Sequence, residues 1–248
     1  MRILVCLKVI RGRTENEPSY VINPNDTNAL ETALKIKEQS LDVHITLLSL
    51  GPKSVEMKLK ELYAYKVDDI ILVADSCYAG SDTLATSYTL VQAIHHMEAF
   101  DLILCGCHTS DGNTGQVAPE ISARLGMTLI SNITKAELTD GNMQCERVAD
   151  YGVQCVKADL PLIATCSRGC NVLRIPTIRD IMKAESKEVS IFTNETLALA
   201  KEDCGLLGSA TRVTKTEKII HHQKGEVYSV SEESVGQIIQ KLKEIRVL

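Results

Sequence analysis

The chain has 248 residues, of which 44% are hydrophobic and 4% aromatic, with no Trp and two Phe, and its net charge is −5. That length suits one large α/β domain or a domain with an appendage, built on an aliphatic core. The acidic balance argues against a nucleic-acid surface, and no apolar run approaches a membrane span.

The first apolar run, Arg2 to Ile10 (RILVCLKVI), reads as a buried central strand. It is too short for a signal peptide, and Lys8 and Arg11 follow its start, so a cytoplasmic protein is expected. Arg11 to Ser19 is a polar loop. Asn23-Pro24-Asn25-Asp26 is a turn and a source of a helix cap, and Ala29, Leu30, Ala33, Leu34 and Ile36 follow at helical spacing. His44 to Leu50 is a second strand, ended by Gly51-Pro52; Val55, Leu59, Leu62 and Tyr63 mark a second helix. Asp69 to Ala74 is a third strand. Ser81-Asp82-Thr83 caps a third helix whose apolar face is Leu84, Tyr88, Val91 and Ile94. Asp101 to Gly106 is the fourth strand and Gln116 to Leu125 the fourth helix, ended by Gly126. This alternation predicts an α/β fold: a doubly wound, mostly parallel Rossmann-like sheet with helices on both faces.

Beyond Gly126 the pattern changes. Met127 to Ile133 reads as a strand, Ala136 to Val148 as an antiparallel hairpin about Asp140-Gly141, Gln154 to Ala158 as a further antiparallel strand and Leu160 to Cys166 as a buried run. A short helix is expected over Thr177 to Ala184. From Glu185 to Glu226 little would make a core of its own, although Ile191, Phe192, Leu197, Leu199, Val213, Ile219 and Ile220 are apolar. Ser231 to Ile245 closes the chain as an amphipathic helix with Val235, Ile238, Ile239 and Leu242 on one face. The expected organisation is a nucleotide-binding α/β domain at 1–184 and, at 185–248, an extended C-terminal arm and helix that pack on a partner.

The stretch from Asp101 to Gly126 carries the first functional signal: a buried strand, a small polar loop (CHTSDGNTG) and a helix start for which Thr114 is a cap. Free N–H groups and the dipole at such a terminus favour an anion, and the crevice of an open α/β sheet lies at this end of its strands. The same residues also suit a plain turn, and neither GxGxxG nor GxxxxGK[ST] is present. The nine cysteines are odd in number and several lie in strands, which fits buried free thiols in a reducing compartment. Cys105-Gly106-Cys107 and Cys166 to Cys170 are not CxxC pairs, and His95-His96 and His221-His222 are adjacent rather than at ligand spacing, so no metal site is expected.

Taken together, RILVCLKVI, INPND, SLGP after the second strand, DGNTGQVAP, IPTIRDIMKA and GLLGSATRV before a terminal helix occur in an order and spacing that resembles the β subunit of an electron-transfer flavoprotein, over essentially the whole chain. The resemblance implies an adenine nucleotide in the α/β domain and pairing with a larger α subunit that holds an FAD. It implies AMP in the simple electron carriers, and in the electron-bifurcating branch a second FAD that takes electrons from NADH. Those electrons would go to ferredoxin or flavodoxin and, through the α-subunit FAD, to a flavin dehydrogenase of the acyl-CoA type or a specialised one. By match of motif, the implied nucleotide positions are Cys6, Asn23, Leu50, Thr109, Asp111, Asn113, Thr114, Gly115 and Gln116. Ser81 to Leu90 (SDTLATSYTL) is similar to a segment of the bifurcating branch, which adds Thr83, Thr86 and Ser87 and favours FAD over AMP; as ordinary residues the three would be helix cap and surface. The family's dehydrogenase-docking loop corresponds to Cys170, Asn171, Val172, Leu173 and Arg174. Here that loop has lost the usual Glu-Pro and Tyr, which points to a specialised partner. No protein nucleophile or general base is implied. An ATP-using adenylating protein on a similar fold would need a Gly- and Ser-rich loop after the first strand, where KVIRGR stands; a free-standing nucleotide sensor would not need the 185–248 arm.

Overall fold

The computed structural model describes residues 1–12, 19–39, 42–139, 141–215, 217 and 227–244. Asp140 of the expected hairpin turn, Ile219, Ile220, the His221-His222 pair, the end of the terminal helix at Ile245 and most of the Arg11–Ser19 loop lie outside the described residues.

The chain divides into two compact units, residues 1–212 and 213–248. The first is built on a nine-stranded sheet. Its parallel part comprises β1 (Arg2–Cys6), β4 (His44–Leu50), β5 (Asp69–Val73), β6 (Leu102–Gly106), β10 (Leu162–Cys166), β11 (Ser190–Phe192) and the first half of β7 (Thr128–Thr139). β8 (Asn142–Ala149) and β9 (Gly152–Asp159) add antiparallel strands, giving the order β11-β5-β4-β1-β6-β10-β7-β8-β9. Two short strands, β2 (Val9–Arg11) and β3 (Tyr20–Ile22), pair separately. The expected first strand is therefore broken after Cys6, where the backbone leaves the sheet to pair with β3.

Alternation along each central strand feeds two cores. Ile3, Val5, Leu47, Ile70, Leu72, Leu102 and Leu104 face α1 (Pro24–Gln39) and α2 (Glu56–Lys60). Leu4, Cys6, Leu48, Ile71, Val73, Ile103 and Cys105 face α3 (Thr83–His95) and α4 (Val117–Leu125). Most of these are wholly buried, each aliphatic side chain contributing about 1.5–3 kcal/mol. The expected second helix is a single turn or so of α-helix between two 3-10 turns, Lys53–Val55 and Glu61–Tyr65.

Where two strands are expected between Met127 and Leu138, β7 runs unbroken. It pairs parallel with β10 up to Ile133 and then antiparallel with β8. Asn132, at φ 58°, and a register shift between Ile133 and Lys135 bend the strand at the change of partner. The body also continues past Glu185. After α5 (Ile178–Ala184), β11 adds to the sheet beside β5, and α6 (Asn194–Leu197) leads into Leu197, Leu199 and Cys204, which are buried in the core on the α3/α4 face. The apolar residues 189–204, expected in the C-terminal arm, thus complete this domain, and only residues after 212 form the second unit. Within that unit α7 (Glu232–Glu244) is headed by Ser231, whose hydroxyl accepts from the Ser234 N–H at 3.2 Å, and Val235, Ile238 and Ile239 are exposed along one stripe. No described helix is long and apolar enough to cross a membrane.

Candidate nucleotide-binding crevice

From β1 the chain moves to β4 and β5 on one side, then crosses back to β6 on the other. The switch of direction opens a crevice between the carboxyl ends of β1 and β6, where open α/β sheets take ligands. Cys6 ends β1, in register with Leu48 and Cys105, and Leu50 ends the neighbouring β4. Gly106 ends β6, and the loop 107–116 arches from it to α4.

The loop is held from below. Asn23, fully buried at the head of α1, donates to the His108 carbonyl at 3.0 Å and accepts from the Ser110 N–H at 3.1 Å. Asn25 donates to the same carbonyl at 2.8 Å. Asp26 does not cap its own helix; it reaches across to accept the Lys8 N–H at 2.7 Å and also takes hydrogen bonds from Gly106 and Asn23. Burial dominates its electrostatics and raises its pKa from 3.8 to about 7, against those hydrogen bonds and the Lys8 charge. Gly106 is required here: a Cβ on it would lie 2.3 Å from Asp26 Oδ1 and 2.7 Å from the Asn25 carbonyl carbon. Above, the Lys8 ammonium meets Asp111 at 2.7 Å; partial burial pushes that carboxyl up, but Lys8, Thr109 and the Gly112 N–H together hold it below its usual range.

The upper loop is exposed and shaped by left-handed residues, Asn113 at φ 52° and Gly115 at φ 65°. Thr109 accepts from the Gly112 N–H at 3.4 Å through its hydroxyl and from the Asn113 N–H at 2.9 Å through its carbonyl. Thr114, expected as the cap of α4, stands two residues too early. Its hydroxyl meets the Gln116 N–H at 3.5 Å, and Gln116 occupies the cap position in helical geometry with no side-chain bond to the helix. Among the described residues the N–H groups of Val117 and Ala118, at the start of α4, therefore keep no side-chain cap.

The N-terminus of α3 adjoins that of α4: Thr83 donates to Glu120 Oε1 at 2.9 Å. Asp82 caps α3 through the Ala85 N–H at 3.1 Å and also accepts from Thr211 N and Oγ1 at 2.8 and 3.0 Å, so the 205–211 segment is fastened to this helix. Thr86 is half-buried. Ser87 points the other way: it is fully buried, donates to the Leu84 carbonyl at 2.9 Å and accepts from Arg124 Nε at 3.3 Å. Its hydroxyl joins α3 to α4 rather than opening onto the crevice.

The docking-loop residues form a separate cluster on α1. Asn171 accepts from Lys35, donates to Thr32 Oγ1 at 2.7 Å and, through its backbone N–H, to Asn28 Oδ1 at 3.1 Å. Arg174 forks onto Glu31 at 2.7–3.2 Å and also pairs with Glu38. Cys170 and Leu173 pack against the core, whereas Val172 is exposed, as are Ile175, Ile178 and Met182 beyond it.

An adenine nucleotide fits this donor set. The crevice pairs bare helix N–H groups with the loop hydroxyls of Thr109 and Thr114. The buried Asn25 Oδ1 accepts no hydrogen bond among the described residues, which leaves it an acceptor for a base or ribose donor. Asp26, Lys8, Gly106 and Glu120 escape a sequence reading because their roles depend on contacts 18 to 103 residues away.

The fold and crevice define a doubly wound, mostly parallel α/β protein with a ligand-sized opening at the carboxyl ends of its central strands. Residues 13–197 match the electron transfer flavoprotein domain. The chain is 34% identical over 236 residues to the electron transfer flavoprotein subunit beta of Thermoanaerobacterium thermosaccharolyticum, covering 94% of this chain and 90% of that one. It is 31% identical over 263 residues, the full length of both, to the caffeyl-CoA reductase-Etf complex subunit CarD of Acetobacterium woodii. To the protein FixA of Azotobacter vinelandii it is 37% identical over 202 residues, 79% of this chain and 72% of that one. The chain belongs to the electron transfer flavoprotein family and aligns with its β subunits.

Proposed function

We propose that the chain is the β subunit of a heterodimeric electron-transfer flavoprotein of the electron-bifurcating kind, holding FAD in the crevice between β1 and β6. It would take electrons from NADH and deliver them to ferredoxin or flavodoxin and, by way of an FAD on the α subunit, to a partner dehydrogenase. The observation that carries the FAD reading is the pair of adjoining helix starts. α4 has no side-chain cap among the described residues and would hold one phosphate on its N–H groups, and the start of α3 lies beside it, where the Thr83 hydroxyl would turn from Glu120 to a second phosphate.

FAD supplies the two-electron and one-electron chemistry when bound. The chain's residues would do the rest. Gln116, Val117 and Ala118 N–H groups and the Thr114 hydroxyl would hold phosphate, with Thr109, Asp111, Asn113 and Gly115 shaping the loop. Cys6 and Leu50 would line the floor, with Asn23 and Asp26 keeping that floor rigid. Ser87 would act through Arg124 and the α3–α4 contact. Exposed Val172, Ile175, Ile178 and Met182, on a segment anchored by Arg174, support docking of the dehydrogenase here. The apolar stripe of α7 supports packing on the α subunit.

The alternative is a non-bifurcating carrier that binds AMP; it is favoured by Glu120 already engaging Thr83 and by the inward Ser87 hydroxyl. Anaerobic titration of the purified heterodimer with NADH separates the two. Bleaching of flavin absorbance by NADH alone supports the first reading; reduction by the partner dehydrogenase but not by NADH supports the second.

A further inference from the structure

Cys166 and Cys170 flank a tight turn. Cys166 closes β10, wholly buried, and the Cys170 N–H returns to the Ser167 carbonyl at 3.3 Å, with Gly169 at φ 77°. The two thiols lie close enough for each to act on the other's ionisation. They share one polar cluster: Thr32 Oγ1 lies 3.5 Å from Cys166 Sγ and 2.7 Å from Asn171 Nδ2, and Asn171 Nδ2 lies 3.7 Å from Cys170 Sγ. Cys170 is half-buried and so within reach of a small solute, and it opens the segment that carries the exposed Val172, Ile175, Ile178 and Met182.

We propose that Cys166 and Cys170 form a peroxide-sensitive dithiol whose reversible disulfide resets the 170–182 segment. The Cys170 thiolate attacks one oxygen of hydrogen peroxide. The O–O bond breaks, the sulfur is oxidised to a sulfenic acid, and hydroxide leaves, taking up a proton to become water. The Cys166 sulfur then attacks the Cys170 sulfur. An S–S bond forms, the S–O bond breaks, and the Cys166 proton leaves with the hydroxyl as a second water. Two thiols lose two electrons and two protons in all, matching the two-electron reduction of the peroxide.

The surroundings assign the roles. Its neighbour Cys166, with help from the Lys35 charge, holds Cys170 below the ordinary thiol range against partial burial. Cys166 is held well above it, first by the neighbouring Cys170 and then by burial. Once Cys170 is a neutral sulfenic acid the first cause is gone, and Cys166 is freed to resolve it. A second thiol pair, Cys77 and Cys204, lacks this asymmetry in the useful direction, because burial and Asp75 push Cys77 up to about 12; a third, Cys6 and Cys105, is buried on neighbouring strands. An S–S bond of about 2.05 Å draws both sulfurs together. That pulls Cys166 from Thr32 and Cys170 from Asn28, the two residues that also hold Asn171.

The test uses the protein as purified, with whatever subunit accompanies it. Trypsin places the two residues on separate peptides, 158–168 and 169–174, each with one cysteine. After graded hydrogen peroxide and alkylation, the expected result is a linked 158–168/169–174 pair. It should form on the order of tenfold faster than oxidation of any other cysteine and be reversed by dithiothreitol. Hydrogen exchange across 171–184 should rise in the oxidised protein and return on reduction, and Cys170→Ser should abolish both responses. Irreversible oxidation of Cys170 without the linked pair, or a Cys77–Cys204 link formed first, would overturn the assignment. So would a linked pair that leaves exchange in 171–184 unchanged.

Discussion

Asp26 offers a direct check on the floor of the crevice. It is almost fully buried, and burial raises its pKa from 3.8 to about 7. The carboxylate is thus disfavoured in the folded state relative to the unfolded one. The sign follows from linkage: the folded protein carries no penalty from this group below about pH 4, where both states are protonated, and loses stability as pH rises towards 7. Over roughly pH 4.5 to 8 that loss is about 3 kcal/mol, at about 1.4 kcal/mol for each pH unit separating the folded and unfolded pKa values. Asp26→Asn removes the titration. It keeps one acceptor for the Lys8 and Gly106 N–H groups, so relative to the protonated carboxyl it carries a constant offset of about 1–3 kcal/mol. Unfolding free energies of the two proteins, measured side by side across this range, should show the variant gaining on the wild type by about 3 kcal/mol between roughly pH 4.5 and 8. A difference independent of pH would mean that Asp26 is ionised throughout, and the account of a buried, neutralised carboxyl beneath the nucleotide loop would be wrong.

Other substitutions probe the remaining parts. Gly106→Ala puts a methyl 2.3 Å from Asp26 Oδ1 against backbone on its other side; it should destabilise the protein by about 1–3 kcal/mol and lower nucleotide retention, read by melting and by released nucleotide. Arg174→Ala leaves the buried Glu31 carboxylate without its fork and should cost about 3 kcal/mol, whereas Glu38→Ala, at an exposed partner, should leave the melting temperature nearly unchanged. Equal losses in the two melts would contradict the assigned burial. Thr83→Val should weaken FAD retention while leaving the melting temperature of the flavin-free protein nearly unchanged. Ser87→Ala, which strips a buried acceptor from Arg124, should instead act mainly on stability, by about 1 kcal/mol.

Much of the parallel sheet is legible in the sequence because β1, β4, β5 and β6 are short aliphatic runs separated by cap and turn residues. The order in which they lie is a tertiary property. Nothing local to Leu162–Cys166 says that it inserts between β6 and β7, or that Ser190–Phe192 returns to the far edge. β7 reads as two strands because Thr134-Lys135 is polar; the left-handed Asn132 and the register shift after Ile133 let the strand bend and continue. On α3 the periodicity misleads. Leu84 is exposed, whereas Ser87 and Thr89 are buried because each hydroxyl donates to a carbonyl of its own helix, at Leu84 and Ala85. The crevice loop is visible from its composition, but the scaffold beneath it is not. Asp26 looks like a helix cap until the strand end at Lys8 is brought against it.

The central claim is the identity of the nucleotide in the crevice. The chain purified together with its α subunit should be denatured and its released FAD and AMP quantified per heterodimer. Two FAD and no AMP is the predicted result. One FAD and one AMP would contradict it, returning Thr83 and Thr86 to the cap and surface of α3.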